Sequence, residues 1–114
     1  ALQMLAENEG LCIYIYNTHT KTWQVIGVTP EDQECQDKKY MFLEFKNGHY
    51  NILNIKPDLN VDVESVMNLI WAVLRTNEEA LWNLRGEFFD LEICPGDGDC
   101  GYWAYLGANR YEIN

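Results

Sequence analysis

The sequence is poor in basic residues and in histidine. It has 8 lysines and arginines against 18 aspartates and glutamates, and only 2 histidines, which gives a formal net charge of −10. A strongly acidic surface repels a phosphate backbone, so the composition argues against a nucleic-acid partner. The negative net charge suits a cationic partner. It is equally expected of a protein whose acidic residues only keep it in solution.

The sequence also lacks a long apolar run. No stretch approaches the roughly 20 apolar residues that a membrane-spanning helix needs, and no signal-peptide pattern is present, so no membrane association is expected. The chain has 114 residues, of which 47% are hydrophobic, and this predicts one folded domain over residues 1–114. Because the chain opens within a helical pattern, we expect it to be a domain excised from a longer protein.

The four cysteines, Cys12, Cys35, Cys94 and Cys100, follow no recognised metal or disulfide pattern. Their spacing matches neither a zinc site nor a small secreted framework, which favours reduced thiols in an intracellular protein. A disulfide between Cys94 and Cys100 is the alternative. A calcium loop at residues 97–99 lacks the further ligands of an EF-hand. We therefore expect neither a metal nor a cofactor.

A loop rich in glycine and aspartate precedes Cys100. Residues 95–104 read PGDGDCGYWA, so the loop ends at the cysteine and an apolar helix starts there. A helix N-terminus favours the thiolate, which is the nucleophilic form of cysteine. The backbone N–H groups of Gly98, Asp99 and Cys100 would then hold an oxyanion. This arrangement is typical of a nucleophilic cysteine, provided that a histidine reaches it.

Of the histidines, His49 is the better candidate for a general base. His19 lies in a polar turn, where a surface histidine without a catalytic role is expected. His49 opens a predicted strand, and the alternation of side chains places Asn51 on the same face. An amide there can orient the imidazole, as the third residue of a cysteine–histidine–asparagine site does. The alternative is a strand-edge histidine that bonds a neighbouring carbonyl.

The two motifs together resemble those of the OTU (ovarian-tumour) family of cysteine proteases. Residues 96–100, GDGDC, look like the cysteine loop of that family, and residues 48–51, GHYN, look like its histidine strand. The resemblance implies a deubiquitinase that hydrolyses isopeptide bonds at the arginine-rich C-terminus of ubiquitin or a ubiquitin-like protein. It also implies that Cys100 is the nucleophile, His49 the general base and Asn51 the orienting residue.

Other features of the resemblance concern the loop and the order of the motifs. Asp97 matches an aspartate that shapes the oxyanion loop of the family or assists the histidine. The family runs cysteine first and histidine last, whereas His49 precedes Cys100 here. This order indicates a circularly permuted domain or the junction of two tandem copies. The alternative functions are a catalytically inactive ubiquitin- or protein-binding module on the same fold, and an interaction domain stabilised by calcium or a disulfide.

Hydrophobic periodicity predicts an α+β domain, in which an antiparallel sheet of about four or five strands packs against about three or four helices. On the resemblance, this fold is OTU-like with a permuted chain order. An Asn-Gly pair at residues 47–48 predicts a tight hairpin. The tail at residues 109–114 is expected to fray. Strands are predicted at 11–16, 22–28, 40–45 and 49–55, and the first of them, which is apolar on both faces, is expected at the centre of the sheet. Helices are predicted at 1–8, at 63–74 with Asn60 or Asp62 as the cap, at 76–85 with a stop at Gly86, and from Cys100.

Overall fold

The fold is given by a computed structural model, which describes residues 2–27, 39–76, 84–96 and 98–112. These residues form four helices and five strands, which confirms the α+β class. In chain order the elements are α1 (Leu2–Glu9), β1 (Leu11–Asn17), β2 (Thr22–Ile26), β3 (Lys39–Lys46), β4 (His49–Ile55), α2 (Val63–Thr76), α3 (Leu84–Phe88), β5 (Phe89–Glu92) and α4 (Cys100–Gly107).

The strands form one sheet in the order β2-β1-β3-β4-β5. Neighbouring strands are antiparallel, except that β1 and β3 are parallel, so the sheet is mixed and the antiparallel prediction is wrong for this pair. The reason is that β2 ends and β3 begins at the same end of β1. Ile26 is paired with Ile13, and Lys39 is paired with Leu11. A strand that starts there, on the other side of β1, runs parallel to it.

A two-residue turn joins β3 to β4, as the sequence predicts. Asn47 and Gly48 both have positive φ angles, 52° and 74°, as a type I′ turn requires. The turn sets the register in which Lys46 faces His49. His49 therefore lies at the end of the sheet that carries the turn.

Apolar clusters cover both faces of the sheet, because the side chains of the central strands alternate between them. On one face α2 packs against Tyr14, Phe42 and Leu53. On the other face α1 and α4 pack against Leu43 and Ile52. The strand β1 is buried on both faces and lies between β2 and β3, which confirms the central position predicted from its apolar run.

The helix α2 begins after an aspartate cap, as predicted. The Asp62 Oδ1 atom accepts a hydrogen bond of 2.9 Å from the Ser65 N–H, and hydrogen bonds from Ser65 lower the pKa of the Asp62 carboxyl. The helix α3 continues through Gly86, where the sequence predicts a stop. Residues 77–83 of the helix predicted at 76–85 lie outside the described residues. None of the described helices is long and apolar enough to cross a membrane.

The chain after α4 returns to the sheet, so the predicted fraying is wrong for Tyr111. The backbone of Tyr111 exchanges hydrogen bonds of 2.8 Å with Tyr40 at the start of β3. Its ring packs against Phe42, and its hydroxyl accepts a hydrogen bond of 3.0 Å from the Ile55 N–H. Tyr111 thus pairs with β3 at Tyr40, beyond the Phe42–Leu53 pair at which the pairing of β3 with β4 ends.

The cysteines differ in oxidation state. Cys12, which is buried in β1, is disulfide-bonded. Cys94 and Cys100 are free thiols, so the alternative disulfide between them is not formed. The prediction of reduced thiols is therefore wrong for Cys12. Disulfides persist mainly in oxidising compartments and free thiols in reducing ones, so the intracellular location stays a prediction.

Candidate active site

The first residue of α4, Cys100, lies against the first residues of β4. The Tyr50 N–H donates a hydrogen bond of 3.4 Å to Cys100 Sγ, and the same sulfur lies 4.0 Å from the Gly48 carbonyl oxygen. The sulfur therefore contacts the backbone on both sides of His49. The fold brings together the cysteine and histidine motifs that are far apart in the sequence.

Glycines allow α4 to pack this closely on β4. A Cβ atom at Gly101 would lie 3.2 Å from Cδ2 of the Tyr50 ring, and one at Gly107 would lie 2.8 Å from Ile52 Cδ1. Real Cβ contacts are rarely so short, so a larger residue at either position would push the helix away from the strand. These glycines interrupt the helical pattern in the sequence, but in the structure they set the distance between α4 and β4.

A backbone carbonyl holds the His49 ring. His49 Nε2 lies 2.9 Å from the Cys94 carbonyl oxygen. A carbonyl oxygen only accepts hydrogen bonds, so Nε2 carries the proton of the neutral ring. Nδ1 is then the unprotonated nitrogen and the one able to accept a proton. The bond is the one expected for a strand-edge histidine, and it also fixes the tautomer that a general base at Nδ1 needs.

Asn51 binds the backbone of the same residue as His49, on the N-terminal side of that residue. Its Oδ1 accepts a hydrogen bond of 3.1 Å from the Cys94 N–H, and only 5% of Asn51 is exposed. The bond runs to Cys94 and not directly to the imidazole, so Asn51 acts on His49 through the backbone of Cys94. The sequence analysis missed Cys94 in this position, because the groups involved are backbone atoms. The pairing of β4 with β5 indicates the position of Cys94. Ile52 is paired with Glu92, so an extension of this register places Tyr50 opposite Cys94.

The residues of the predicted oxyanion loop precede α4 directly. Gly98 and Asp99 are exposed, and Asp99 is the N-cap residue, without a hydrogen bond from its side chain to the helix. The first N–H groups of any α-helix have no partner inside the helix, so those at Cys100 and Gly101 are free of intrahelical bonds. Asp97 lies outside the described residues, and its roles remain predictions.

Burial controls the protonation of the groups around Cys100. It raises the pKa of the Cys94 thiol, and the charges of Glu92 and Cys100 act in the same direction. It also raises the pKa of the Tyr50 hydroxyl, again with a contribution from Cys100. Cys94 and Tyr50 are therefore neutral near pH 7. Both free thiols of the described residues lie against β4, and it is the Cys100 sulfur that contacts the backbone of Gly48 and Tyr50.

The other predicted features of the sequence lie away from this arrangement. His19 is exposed in the turn after β1, where the Asn17 side chain accepts a hydrogen bond from its backbone N–H. Among the described residues, no group of three histidine, cysteine, aspartate or glutamate side chains is placed to hold a metal ion.

Comparisons of the chain with protein-family models, with curated proteins and with solved structures find no match. The likeness to the OTU proteases is therefore a resemblance of residues 48–51 and 96–100. What the structure adds is the contact between those motifs. The functional argument below starts from that contact.

The close packing of α4 predicts the effect of a larger residue at Gly101. Gly101→Val should lower the free energy of unfolding by about 1–3 kcal/mol, because the added methyl groups meet the Tyr50 ring. Gly86→Val is the matched control, since Gly86 is also helical but a Cβ added there would meet no atom within 4 Å. Chemical denaturation of both variants measures the difference. Equal stability of the variants would contradict the close approach of α4 to β4.

Proposed function

We propose that the chain is a thiol-dependent deubiquitinase, which hydrolyses isopeptide or peptide bonds at the C-terminus of ubiquitin or a ubiquitin-like protein. Its domain would be OTU-like, with a permuted order of motifs. The observation that carries the proposal is the position of Cys100 Sγ, which contacts the backbone of Gly48 and Tyr50 on either side of His49. The hydrogen bond between His49 Nε2 and the Cys94 carbonyl supports it, because this bond leaves Nδ1 as the base.

The first half of the reaction forms a thioester. His49 Nδ1 takes the proton of the Cys100 thiol, and the thiolate attacks the carbonyl carbon of the last glycine of ubiquitin. The carbonyl oxygen becomes negative and is held by the N–H groups of Gly98, Asp99 and Cys100. The C–N bond then breaks while the His49 imidazolium gives its proton to the leaving lysine amine.

The second half of the reaction releases ubiquitin. His49 takes a proton from a water molecule, and the oxygen of that water attacks the thioester carbon. The C–S bond breaks, Cys100 leaves as a thiolate, and the proton on His49 returns to it. The Cys94 carbonyl holds Nε2 through both halves, so the ring presents Nδ1 each time.

Charge supports a cationic peptide as the substrate. Asp90 and Glu92 are exposed on the neighbouring strand β5, and Asp99 is exposed directly before the nucleophile. The whole chain carries a net charge of −10. The family resemblance implies a substrate with an arginine-rich tail. The positive charge of such a tail would be attracted to these carboxylates.

A catalytically inactive module that binds ubiquitin or another protein is the second candidate. The observation that favours it is the exposure of apolar side chains that are close in the sequence to Cys94 and Cys100, whereas Cys100 itself is only 9% exposed. Ile93 is 74% exposed, and Tyr102, Trp103 and Leu106 on α4 are 51%, 45% and 51% exposed. Exposed apolar patches of this kind mark interaction sites. Measured turnover separates this candidate from the enzyme.

Removal of either central residue should abolish turnover of a fluorogenic ubiquitin substrate. Cys100→Ala removes the nucleophile and His49→Ala removes its base, so each should lower the rate by about 10³-fold or more. Thermal unfolding and ubiquitin binding of Cys100→Ala should match the unmutated chain. An unmutated chain that binds ubiquitin without turnover would favour the binding module. Equal activity of Cys100→Ala and the unmutated chain would exclude Cys100 as the nucleophile.

Changes at Asn51 should have a smaller effect. Asn51→Ala removes the acceptor for the Cys94 N–H, which costs about 1–3 kcal/mol, or roughly ten- to a hundredfold in turnover. Asn51→Asp keeps an acceptor oxygen at this position and should retain most of the rate. Asp97→Asn is the comparison variant. If Asp97 orients His49 instead, this variant will be the damaging one and Asn51→Ala will retain full activity.

A further inference from the structure

The strand β5 is an edge of the sheet that no other strand of the described residues covers. It is last in the order β2-β1-β3-β4-β5, so it is paired on one side only, with β4. Phe89 at its start is buried, whereas Leu91 is 42% exposed and Ile93, directly after the strand, is 74% exposed. An exposed apolar edge of this kind is a template on which another strand can pair.

Hydrogen bonds to β4 show which backbone groups of this edge point outwards. The Phe88 carbonyl accepts a bond of 2.9 Å from the Lys56 N–H, and the backbone of Cys94 is bonded to side chains of β4. In an antiparallel pair, alternate residues exchange both of their backbone hydrogen bonds with the neighbouring strand. The even-numbered residues of this segment therefore face β4. Leu91 and Ile93 direct their N–H and C=O groups to the outside of the sheet.

The side chains of the edge alternate between apolar and acidic. Phe89 belongs to the apolar cluster on the α2 side of the sheet, so alternation places Leu91 on that side. Asp90 and Glu92 lie on the α4 side, where Glu92 Oε2 is 3.9 Å from the position that a Cβ atom at Gly107 would take. Both carboxylates are on exposed residues. The edge thus carries an apolar row on one face and an acidic row on the other.

The acidic row argues against a second copy of this chain as the partner. Antiparallel pairing of two β5 strands about Leu91 would place Asp90 of one copy opposite Glu92 of the other, and like charges in opposite positions destabilise a sheet. The net charge of −10 adds a general repulsion between copies. Basic residues opposite these carboxylates would instead be attracted to them.

We propose that the outer edge of β5 binds an extended peptide in which basic and apolar residues alternate, and that the peptide joins the sheet antiparallel to β5. The backbone groups of Leu91 and Ile93 hold its main chain, and its apolar side chains lie beside these residues. Its basic side chains lie beside Asp90 and Glu92. Antiparallel pairs are slightly more stable per residue than parallel ones. The inference needs no turnover, so it does not rest on the proposed function.

The first test compares synthetic peptides by isothermal titration calorimetry with the whole chain. The probe is a peptide of alternating lysine and valine with blocked ends. A peptide of the same composition, with its lysines in one block and its valines in another, should bind at least about tenfold more weakly, because it cannot match both rows of the edge. Equal affinity of the two peptides, or no binding of the alternating one, would overturn the inference.

N-methylation of the alternating peptide tests whether its main chain pairs with β5. In the antiparallel arrangement, the valines opposite Leu91 and Ile93 direct their N–H groups to β5, and the lysines direct theirs to solvent. Methyl groups on the valine nitrogens should abolish binding, whereas methyl groups on the lysine nitrogens should change the affinity by less than about twofold. Equal effects of the two modifications, or a larger effect at the lysines, would overturn the inference.

Paired variants of the chain locate the binding edge. Asp90→Asn with Glu92→Gln removes the acidic row and should weaken binding of the alternating peptide about fivefold, since two exposed ion pairs are lost. Glu7→Gln with Glu9→Gln is the matched control, because it removes the same charge from exposed positions on α1, which packs on β1 and β2. Equal weakening in the two variants would overturn the inference.

The outcomes for this edge and for the proposed function are separable. A chain that turns over a ubiquitin substrate but does not bind the alternating peptide would overturn the inference alone. A chain that binds the peptide in the expected way but never shows turnover would overturn the proposed function alone. The methylated peptides are measured on the unmutated chain, so the inference is tested even if a variant does not fold.

Discussion

The candidate site depends on the close packing of α4 against β4. Gly101 faces the Tyr50 ring and Gly107 faces Ile52, so the helix axis lies nearer to the strand than a helix with ordinary side chains would allow. This approach brings Cys100 Sγ to the backbone around His49. Apolar burial holds the arrangement together, because Ala104 and Tyr105 of α4 share a cluster with α1 and the sheet.

A second constraint fixes the histidine side of the site. The backbone of Cys94 is held at its N–H by Asn51 and at its carbonyl oxygen by His49. Asn51 is buried on the strand and cannot easily turn away. Cys94, which is bonded on both sides, therefore links the position of Asn51 to that of the His49 ring. The proposed catalysis would depend on this geometry and not on the order of the motifs in the chain, since catalytic triads with the same geometry occur in different chain orders.

Local patterns in the sequence predict much of the fold. The Asn47-Gly48 pair predicts the hairpin, and that turn fixes where β4 begins. The spacing of apolar residues predicts α2, and the aspartate before it predicts the cap. The contact between the cysteine and histidine motifs was expected from the family resemblance. The hydrophobic periodicity of the sequence does not predict it.

Features that depend on distant parts of the chain were not predictable. The parallel pairing of β1 with β3 depends on which end of the sheet the chain re-enters, and side-chain alternation is the same for either direction. The docking of Tyr111 on Tyr40 depends on where the pairing of β3 with β4 ends. The Cys94 carbonyl is a backbone group, so no residue type reveals its role at His49.

The most direct measurement of the central claim is covalent capture by ubiquitin that carries an electrophile in place of its C-terminal carboxylate. The unmutated chain, kept in a thiol reductant, should gain the mass of one ubiquitin, and peptide mapping should place the bond on Cys100. Heat-unfolded chain should not react, because the reaction needs the folded arrangement of Cys100 and His49. A bond on Cys94, or no adduct with the folded chain, would contradict the account.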